Sequence, residues 1–181
     1  MERLYRKMAR MSMVGLSLVM TLLAFVAFAY FDRARPSGTP GVVALQLAFS
    51  AEGFQSILNQ WGAPVVQAYR ASTLYVDSWF PVVYALLFAS LIALLTHKPG
   101  KAVSKAYLLL FALPFVAILL DWVENGLHLI LLRDPSHLSA TLILIASLAA
   151  AVKWGIIAFS ILAVLYFLAR LISAHPLERR S

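Results

Sequence analysis

The sequence predicts an all-α membrane protein: a four-transmembrane-helix bundle with an extracytoplasmic amphipathic helix between spans one and two. The chain has 181 residues, of which 62% are apolar and 13% are charged, whereas a soluble domain is about half apolar and about a quarter charged. The excess apolar residues are concentrated in four tracts, each close to the roughly 20 helical residues that cross a bilayer core. The basic residues, apart from Lys153, lie outside these tracts.

The four apolar tracts define the predicted spans. The first contains no charged residue, and the third contains none between Ala106 and Leu120. The fourth is interrupted once, by Lys153. We therefore predict a single integral membrane domain over residues 1–181, with spans at about 11–31, 74–96, 106–132 and 139–169 and an external segment at 32–73.

The net charge of +7 is explained by topology, so nucleic acid is not an expected partner. Ten basic residues fall on one side of a chain that crosses four times, and positive residues favour the cytoplasmic side. Both termini are therefore predicted to be cytoplasmic, with some affinity for anionic lipid headgroups. The ten are Arg3, Arg6, Lys7, Arg10, Lys98, Lys101, Lys105, Arg170, Arg179 and Arg180, against Arg33, Arg35, Arg70 and Arg133 on the other side.

The first tract has an alternative interpretation. A basic start, an apolar run and the small residues Ala27 and Ala29 resemble a signal peptide with its cleavage site. The apolar run is somewhat long for that role, so a retained first span is the prediction and cleavage the alternative. The chain has no cysteine, which excludes disulfides, thiolate metal sites and thiol catalysis.

The external segment contains a linker followed by two predicted elements. The stretch "VVALQLAF" alternates in part and predicts extended structure. Ser50 is a suitable N-cap for a helix that Gly62 would end. Apolar residues recur along that helix with helical spacing, which is typical of a helix in the outer membrane interface or on top of the bundle. An ordinary external loop helix is an equal alternative. The recurring apolar residues are Phe54, Ile57, Leu58 and Trp61.

The second span is predicted to begin within a longer helix. Pro64 is suited to the first turn of a helix, which would continue through Arg70 into the second span. Pro81 would then bend this helix within the span. The short segments "HKPGK" and "RDPSH" predict tight connections between spans two and three and between spans three and four.

The stretch "DWVENGLH" places ionisable residues within the apolar third span. At about 100° per residue, Asp121, Glu124, Asn125 and His128 project within about a third of the helix circumference. Such a stripe is costly against lipid and is therefore expected to face the bundle interior or a water-filled cavity.

Two further residues complete a predicted polar pocket. Counting from the span ends places Lys153 at a depth compatible with that of Asp121, which predicts an ion pair. Asp77 enters the second span near the level of Glu124 and His128. The candidate binding or polar-cluster residues are Asp77, Asp121, Glu124, Asn125, His128 and Lys153.

The charge balance of this cluster leaves several functions open. Three carboxylates face one lysine and one histidine, and the excess negative charge can be relieved by protonation, a bound cation or access to water. The working interpretation is a pocket for a small molecule or lipid headgroup that enters from the outer leaflet. The alternatives are an accessory or assembly subunit with a structural cluster, and a proton-coupled transporter that works as an oligomer.

Two chemical interpretations are also left open. An enzyme would use Glu124 or Asp121 as a general base, His128 as its acid–base partner and Lys153 to stabilise charge. A metal site would use Glu124 and His128 at i, i+4. The sequence decides neither whether catalysis occurs nor which cofactor, membrane-complex partner or homo-oligomer is involved.

Several of these motifs together resemble a group of small, uncharacterised bacterial four-span integral membrane proteins. The resemblance covers about Leu45 to Trp154 and is based on "LQLAFS…FQSILNQWG", "YVDSWFPVVYALL", "DWVEN" and "KWGII". Shared features are an Asp at the start of span two, Asp-x-x-Glu-Asn in span three and a Lys in span four. The resemblance implies a location in the bacterial inner membrane and implies no activity.

Overall fold

The computed structural model describes residues 1–174, and within this range the chain is helical and contains no strand. The predicted all-α class is confirmed. The predicted cytoplasmic residues Arg179 and Arg180 lie outside the described residues. The seven helices are α1 (Glu2–Met8), α2 (Met11–Asp32), α3 (Val42–Gln46), α4 (Ala51–Tyr75), α5 (Phe80–Thr96), α6 (Lys105–Leu131) and α7 (Ala140–Ala174).

Three helices, α2, α6 and α7, are each long and apolar enough to cross a membrane. Helices α4 and α5 together provide a fourth crossing if the pair, bent by 55°, forms one broken span. The chain is thus a multi-pass membrane protein with three or four candidate spans. Helix α6 packs along both α5 and α7, and α2 packs along α5.

One end of the bundle is closed by α1, a helix that the sequence interpretation did not predict. Tyr5 is fully buried, and its ring packs edge-on against Phe111 at 5.5 Å between centroids. Its hydroxyl is 2.7 Å from the hydroxyl of Thr96 at the end of α5, and Arg6 donates to the backbone carbonyl of Lys101. The N-terminal basic residues therefore lie at the same end as the α5–α6 connection.

The opposite end is covered by residues 42–61, which we call the cap. The Ser50 hydroxyl accepts a hydrogen bond from the backbone N–H of Gly53, so the predicted N-cap is confirmed. The apolar face of α4 packs on Leu131, Leu132 and Ile143, where α6 ends and α7 begins. The amphipathic helix that begins after Ser50 therefore lies on top of the bundle, one of the positions that the sequence left open. The buried residues of that face are Phe54, Ile57, Leu58 and Trp61.

The prediction of extended structure for residues 42–49 is wrong, because Val42–Gln46 forms the short helix α3. Alternation would place Val43, Leu45, Leu47 and Phe49 on one face. The helical turn instead buries Leu45 in the cap and leaves Val43 and Phe49 exposed. It also buries Gln46, whose side-chain oxygen accepts a hydrogen bond from the Trp154 indole at 3.0 Å.

Helix α4 is kinked where the sequence predicted a helix end. Gly62 has φ 70° and ψ 171°, a conformation outside the helical region that is essentially restricted to glycine. Pro64 follows in the first turn of the next segment, where its missing N–H costs no hydrogen bond. The predicted boundary at Gly62 and restart at Pro64 are confirmed.

The expected continuous helix into the second span is wrong. Helix α4 ends at Tyr75, residues 76–79 form a turn, and α5 begins at Phe80. Pro81 lies in the first turn of α5 and does not bend a helix. The 55° bend lies instead in the turn, which contains Asp77.

The connection between α6 and α7 is held by Asp134. Its carboxylate accepts hydrogen bonds from the backbone N–H and the hydroxyl of Ser136, and it lies 2.8 Å from the His137 ring. The hydrogen bonds from Ser136 and His137 lower the pKa of Asp134. The predicted short turn is confirmed, and it keeps the ends of α6 and α7 together beneath the cap.

Candidate functional site

The polar stripe of α6 lies on the buried face of that helix. Asp121, Glu124, Asn125 and His128 are all buried, while the neighbouring Trp122 is 46% exposed. The one-sided arrangement expected from the 3.6-residue period is present. The stripe faces α7, the α4–α5 turn and the second half of α4.

Lys153 on α7 forms ion pairs with two acids of this stripe. Its ammonium nitrogen lies 3.0 Å from Asp121 Oδ1 and 2.5 Å from Glu124 Oε2, and all three side chains are almost completely buried. The predicted Asp121–Lys153 pair is therefore present, and Glu124 joins it.

The register of α6 and α7 explains why these residues meet. Leu131 and Ile143 pack in the same apolar cluster under the cap. Asp121 precedes Leu131 by ten residues, and Lys153 follows Ile143 by ten residues. Since both helices rise 1.5 Å per residue, the two charged groups reach the same depth of about 15 Å below that cluster.

Asn125 of the stripe and its exposed neighbour Trp122 stabilise the break between α4 and α5. The Asn125 amide donates to the backbone carbonyl of Asp77 at 3.2 Å, and the Trp122 indole donates to that of Ser78 at 2.9 Å. Non-helical backbone within a membrane span requires such partners, because lipid offers no hydrogen bonds. The motif "DWVEN" thus has two functions: its acids hold Lys153, and its Trp and Asn hold the turn.

Two tyrosines that the sequence interpretation did not single out as site residues complete the network. The Tyr84 hydroxyl donates to Asp121 Oδ2 at 3.0 Å. The Tyr69 hydroxyl lies 2.7 Å from His128 Nδ1. A signal for Tyr69 was present, because Tyr69, Thr73 and Asp77 recur every four residues and would form a polar stripe on one helix face.

A cavity of about 550 Å³ lies in front of this network. Its polar floor consists of Asp77, Tyr84, Asp121 and Lys153. At its rim Arg35 forms a two-pronged ion pair with Asp32, at 2.7 and 2.8 Å. The walls are largely aromatic and aliphatic and include Phe25, Phe28, Ala29, Phe31, Val42, Val43, Ala44, Trp61, Val65, Tyr69, Phe80, Trp154 and Ile157.

The six predicted site residues divide into two groups. Asp77, Asp121 and Lys153 line the cavity, whereas Glu124, Asn125 and His128 lie outside its lining. In the part of the chain that the structure describes, Glu124 Oε1, Asn125 Oδ1 and His128 Nε2 have no hydrogen-bond partner. A binding role for these six residues stays a prediction.

The geometry does not assemble a metal site from the described residues. Within residues 1–174, no three His, Asp or Glu side chains converge in a group that could hold a metal ion. Glu124 forms an ion pair with Lys153, and His128 Nδ1 lies within hydrogen-bond distance of the Tyr69 hydroxyl. The candidate metal ligands Glu124 and His128 therefore each have another partner.

Comparison with known proteins gives no match to any family model, to any curated protein or to any solved structure. The resemblance to small bacterial four-span proteins therefore stays a prediction.

Proposed function

We propose that the cavity binds an amphiphile, either a small molecule or a lipid, with its polar group on the polar floor. The observation that carries this proposal is that one cavity joins buried charged groups to aromatic and aliphatic walls. Ligand sites typically measure about 300–1,000 Å³ and combine apolar walls with a few polar groups. The cavity volume of about 550 Å³ falls in that range.

The course of the cavity supports an elongated ligand. Its lining runs from Arg35, in the linker after α2, to Asp121 and Lys153 near the middle of their helices. Phe25, Phe28 and other residues of α2 line the way between these ends. An apolar chain can therefore lie along α2 while its polar group reaches the floor.

Packing below the floor favours binding over passage through the protein. Between the floor and α1 lies an apolar cluster with fully or almost fully buried members from α5 and α6. This arrangement gives less support to a proton-coupled transporter than to a pocket that is closed at its inner end. The buried members of this cluster on α5 and α6 are Ala89, Ile92, Ala93 and Phe111.

A structural role, as in an accessory or assembly subunit, is the main alternative. The Lys153 ion pairs join α6 to α7, and the Asn125 and Trp122 hydrogen bonds join α6 to the α4–α5 turn. These contacts alone would serve a purely structural protein. A purely structural role does not require the cavity. An experiment that distinguishes binding from a structural role must therefore alter the cavity.

Filling the cavity should abolish binding without disturbing the polar network. Ala29 lines the cavity from α2, so Ala29→Trp is expected to lower the occupancy of a co-purified amphiphile by at least about tenfold. Native mass spectrometry of protein extracted in a mild non-ionic detergent measures this occupancy directly.

The matched control is Val26→Trp on the same helix. Val26 is 70% exposed and does not line the cavity, so this variant should retain the wild-type adduct. Equal retention by Ala29→Trp and wild type would refute the proposed site. A wild-type protein that carries no adduct, even after incubation with a membrane lipid extract, would favour the structural role.

We infer that this is a bacterial inner-membrane protein with its termini in the cytoplasm and its cap outside. Basic residues near α1 and in the α5–α6 connection lie at one end of the bundle, which the positive-inside rule assigns to the cytoplasm. Because the chain has no cysteine, single variants report orientation cleanly. Ser37→Cys should react with an impermeant maleimide on intact cells and Ser104→Cys should not; the reverse result would invert the topology.

A further inference from the structure

We infer that the polar group of the ligand is a cation, an ammonium carried on an apolar chain, and that Asp77 recognises it. This inference rests on the proposed function, because it specifies the ligand of the same cavity. It follows from the charges that face the cavity and from the rings that surround them.

The ion pairs of the polar floor are unevenly distributed among its acids. Lys153 is shared by Asp121 and Glu124, and Asp121 also accepts a hydrogen bond from Tyr84. Asp77 is only 8% exposed and lines the cavity, yet it forms no salt bridge with any residue in the range 1–174. A buried carboxylate without a cationic partner is costly, so a cation at this position is stabilised.

Among residues 1–174, the lining of the cavity offers no free cation to receive an anionic group. Its two basic residues are already paired, Lys153 with Asp121 and Glu124, and Arg35 with Asp32. An anionic headgroup would have to displace one of these carboxylates and would lie near Asp77. Electrostatic complementarity therefore selects a positive group.

Aromatic rings line the path to the floor. The rings of Phe25 and Phe28 on α2 each pack edge-to-face on Phe80, at 5.6 and 5.2 Å between centroids. Phe80 packs in the same way on Tyr84 at 5.4 Å, and all four rings line the cavity. Aromatic rings attract ammonium groups through their quadrupoles, most strongly where water is excluded.

An ammonium on an apolar chain has two natural sources. It can belong to a free amphiphilic amine or quaternary ammonium compound, or to the headgroup of a phospholipid such as phosphatidylethanolamine. The recognition chemistry at Asp77 is the same for both, so the experiment separates them by competition.

The test compares amphiphiles that share a twelve-carbon chain and differ in charge. Full-length protein in a neutral detergent is incubated with dodecyltrimethylammonium, dodecanol or laurate, and occupancy is read by native mass spectrometry. We expect the cation to half-occupy the protein at a concentration at least about tenfold below that of either competitor. Asp77→Asn, which keeps the size of the side chain, should bring the cation to within about twofold of dodecanol.

The control variant is Asp134→Asn, which neutralises an exposed acid in the α6–α7 turn and should keep the cation preference. If Asp77→Asn does not fold, Phe28→Leu should weaken cation binding several-fold and leave dodecanol binding nearly unchanged.

The outcomes separate this inference from the proposed function. Equal binding of the three amphiphiles, a preference for laurate, or a cation preference that survives Asp77→Asn would overturn the inference and leave the cavity as a binding site. Binding of none of them would overturn both. Displacement of the bound cation by phosphatidylethanolamine but not phosphatidylglycerol supports a lipid source, and displacement by neither supports a free amphiphile.

Discussion

Replacing Lys153 with methionine is expected to lower the free energy of unfolding by about 3–5 kcal/mol. The substitution keeps an unbranched chain of similar length but removes the ammonium that Asp121 and Glu124 share. Two buried acids then lose the cation that compensates them, and Lys153 itself is only 2% exposed, so water screens little of this cost. In thermal unfolding in one non-ionic detergent, the midpoint should fall by roughly 6–20 °C.

Two further variants make this result specific to the ion pairs. Lys105→Met removes a lysine that is exposed at the start of α6 and should leave the midpoint almost unchanged. Adding Asp121→Asn and Glu124→Gln to Lys153→Met removes the uncompensated acids and should recover much of the loss. Equal midpoints for Lys153→Met and Lys105→Met would show that the buried pairs do not hold α6 against α7.

Gly62→Ala is expected to destabilise the protein by about 1–3 kcal/mol, although the space beside Gly62 is open. The nearest atom to an added Cβ would be Pro64 Cδ at 3.9 Å, an ordinary contact distance. The cost arises instead from the backbone, because φ 70° with ψ 171° is a conformation that alanine rarely adopts. A helix without this kink would also carry residues 51–61 away from the ends of α6 and α7.

Gly126→Ala provides the opposite case on α6. Gly126 is exposed within a regular helix, and an added Cβ would meet no atom within 4 Å. Alanine there should be neutral or stabilise the protein by about 0.4–1 kcal/mol. The thermal midpoint should therefore fall in Gly62→Ala and stay level or rise in Gly126→Ala, and limited proteolysis should cut the cap faster in Gly62→Ala alone. A shared direction would argue against a strained kink at Gly62.

The polar stripe was predictable from the sequence because helical geometry is regular. The spacing of Asp121, Glu124, Asn125 and His128 fixes their common face whatever their neighbours are. Lys153 could be added by counting residues from the span ends. Gly62 and Pro64 were likewise predictable, since their backbone preferences are local.

The break between α4 and α5 was not predictable from local sequence. Residues 76–79 leave the helix because Asn125 and Trp122, more than 40 residues later, supply hydrogen bonds to its carbonyls. Helix α3 has only five residues, too few for its periodicity to be distinguished from alternation. The burial of Tyr5 depends on contacts with Thr96 and Phe111, which are distant from it in sequence.

The separation of the predicted site residues into those that line the cavity and those that do not likewise depends on contacts between segments that are distant in sequence. Sequence spacing indicated which side chains share a face but not which of them border empty space. The position of α2 and the cap decides that Asp77 and Asp121 line the cavity while Glu124 and His128 do not. Tyr84 was missed as a site residue because a tyrosine in an apolar span more often marks the membrane interface or packing. Tyr69 was missed because it lies in the segment predicted to be external.

The most direct test of the account is to map where an amphiphile lies in the wild-type protein. An amphiphile with a diazirine in its alkyl chain, in cationic and neutral versions, is bound to the protein, photolysed and located by peptide mass spectrometry. We expect adducts in the α2 segment 25–32 and in the cap, and we expect an excess of the unmodified amphiphile to remove them. Adducts confined to exposed positions of α7 such as Leu162 and Leu165, undiminished by the competitor, would contradict a ligand site in the cavity.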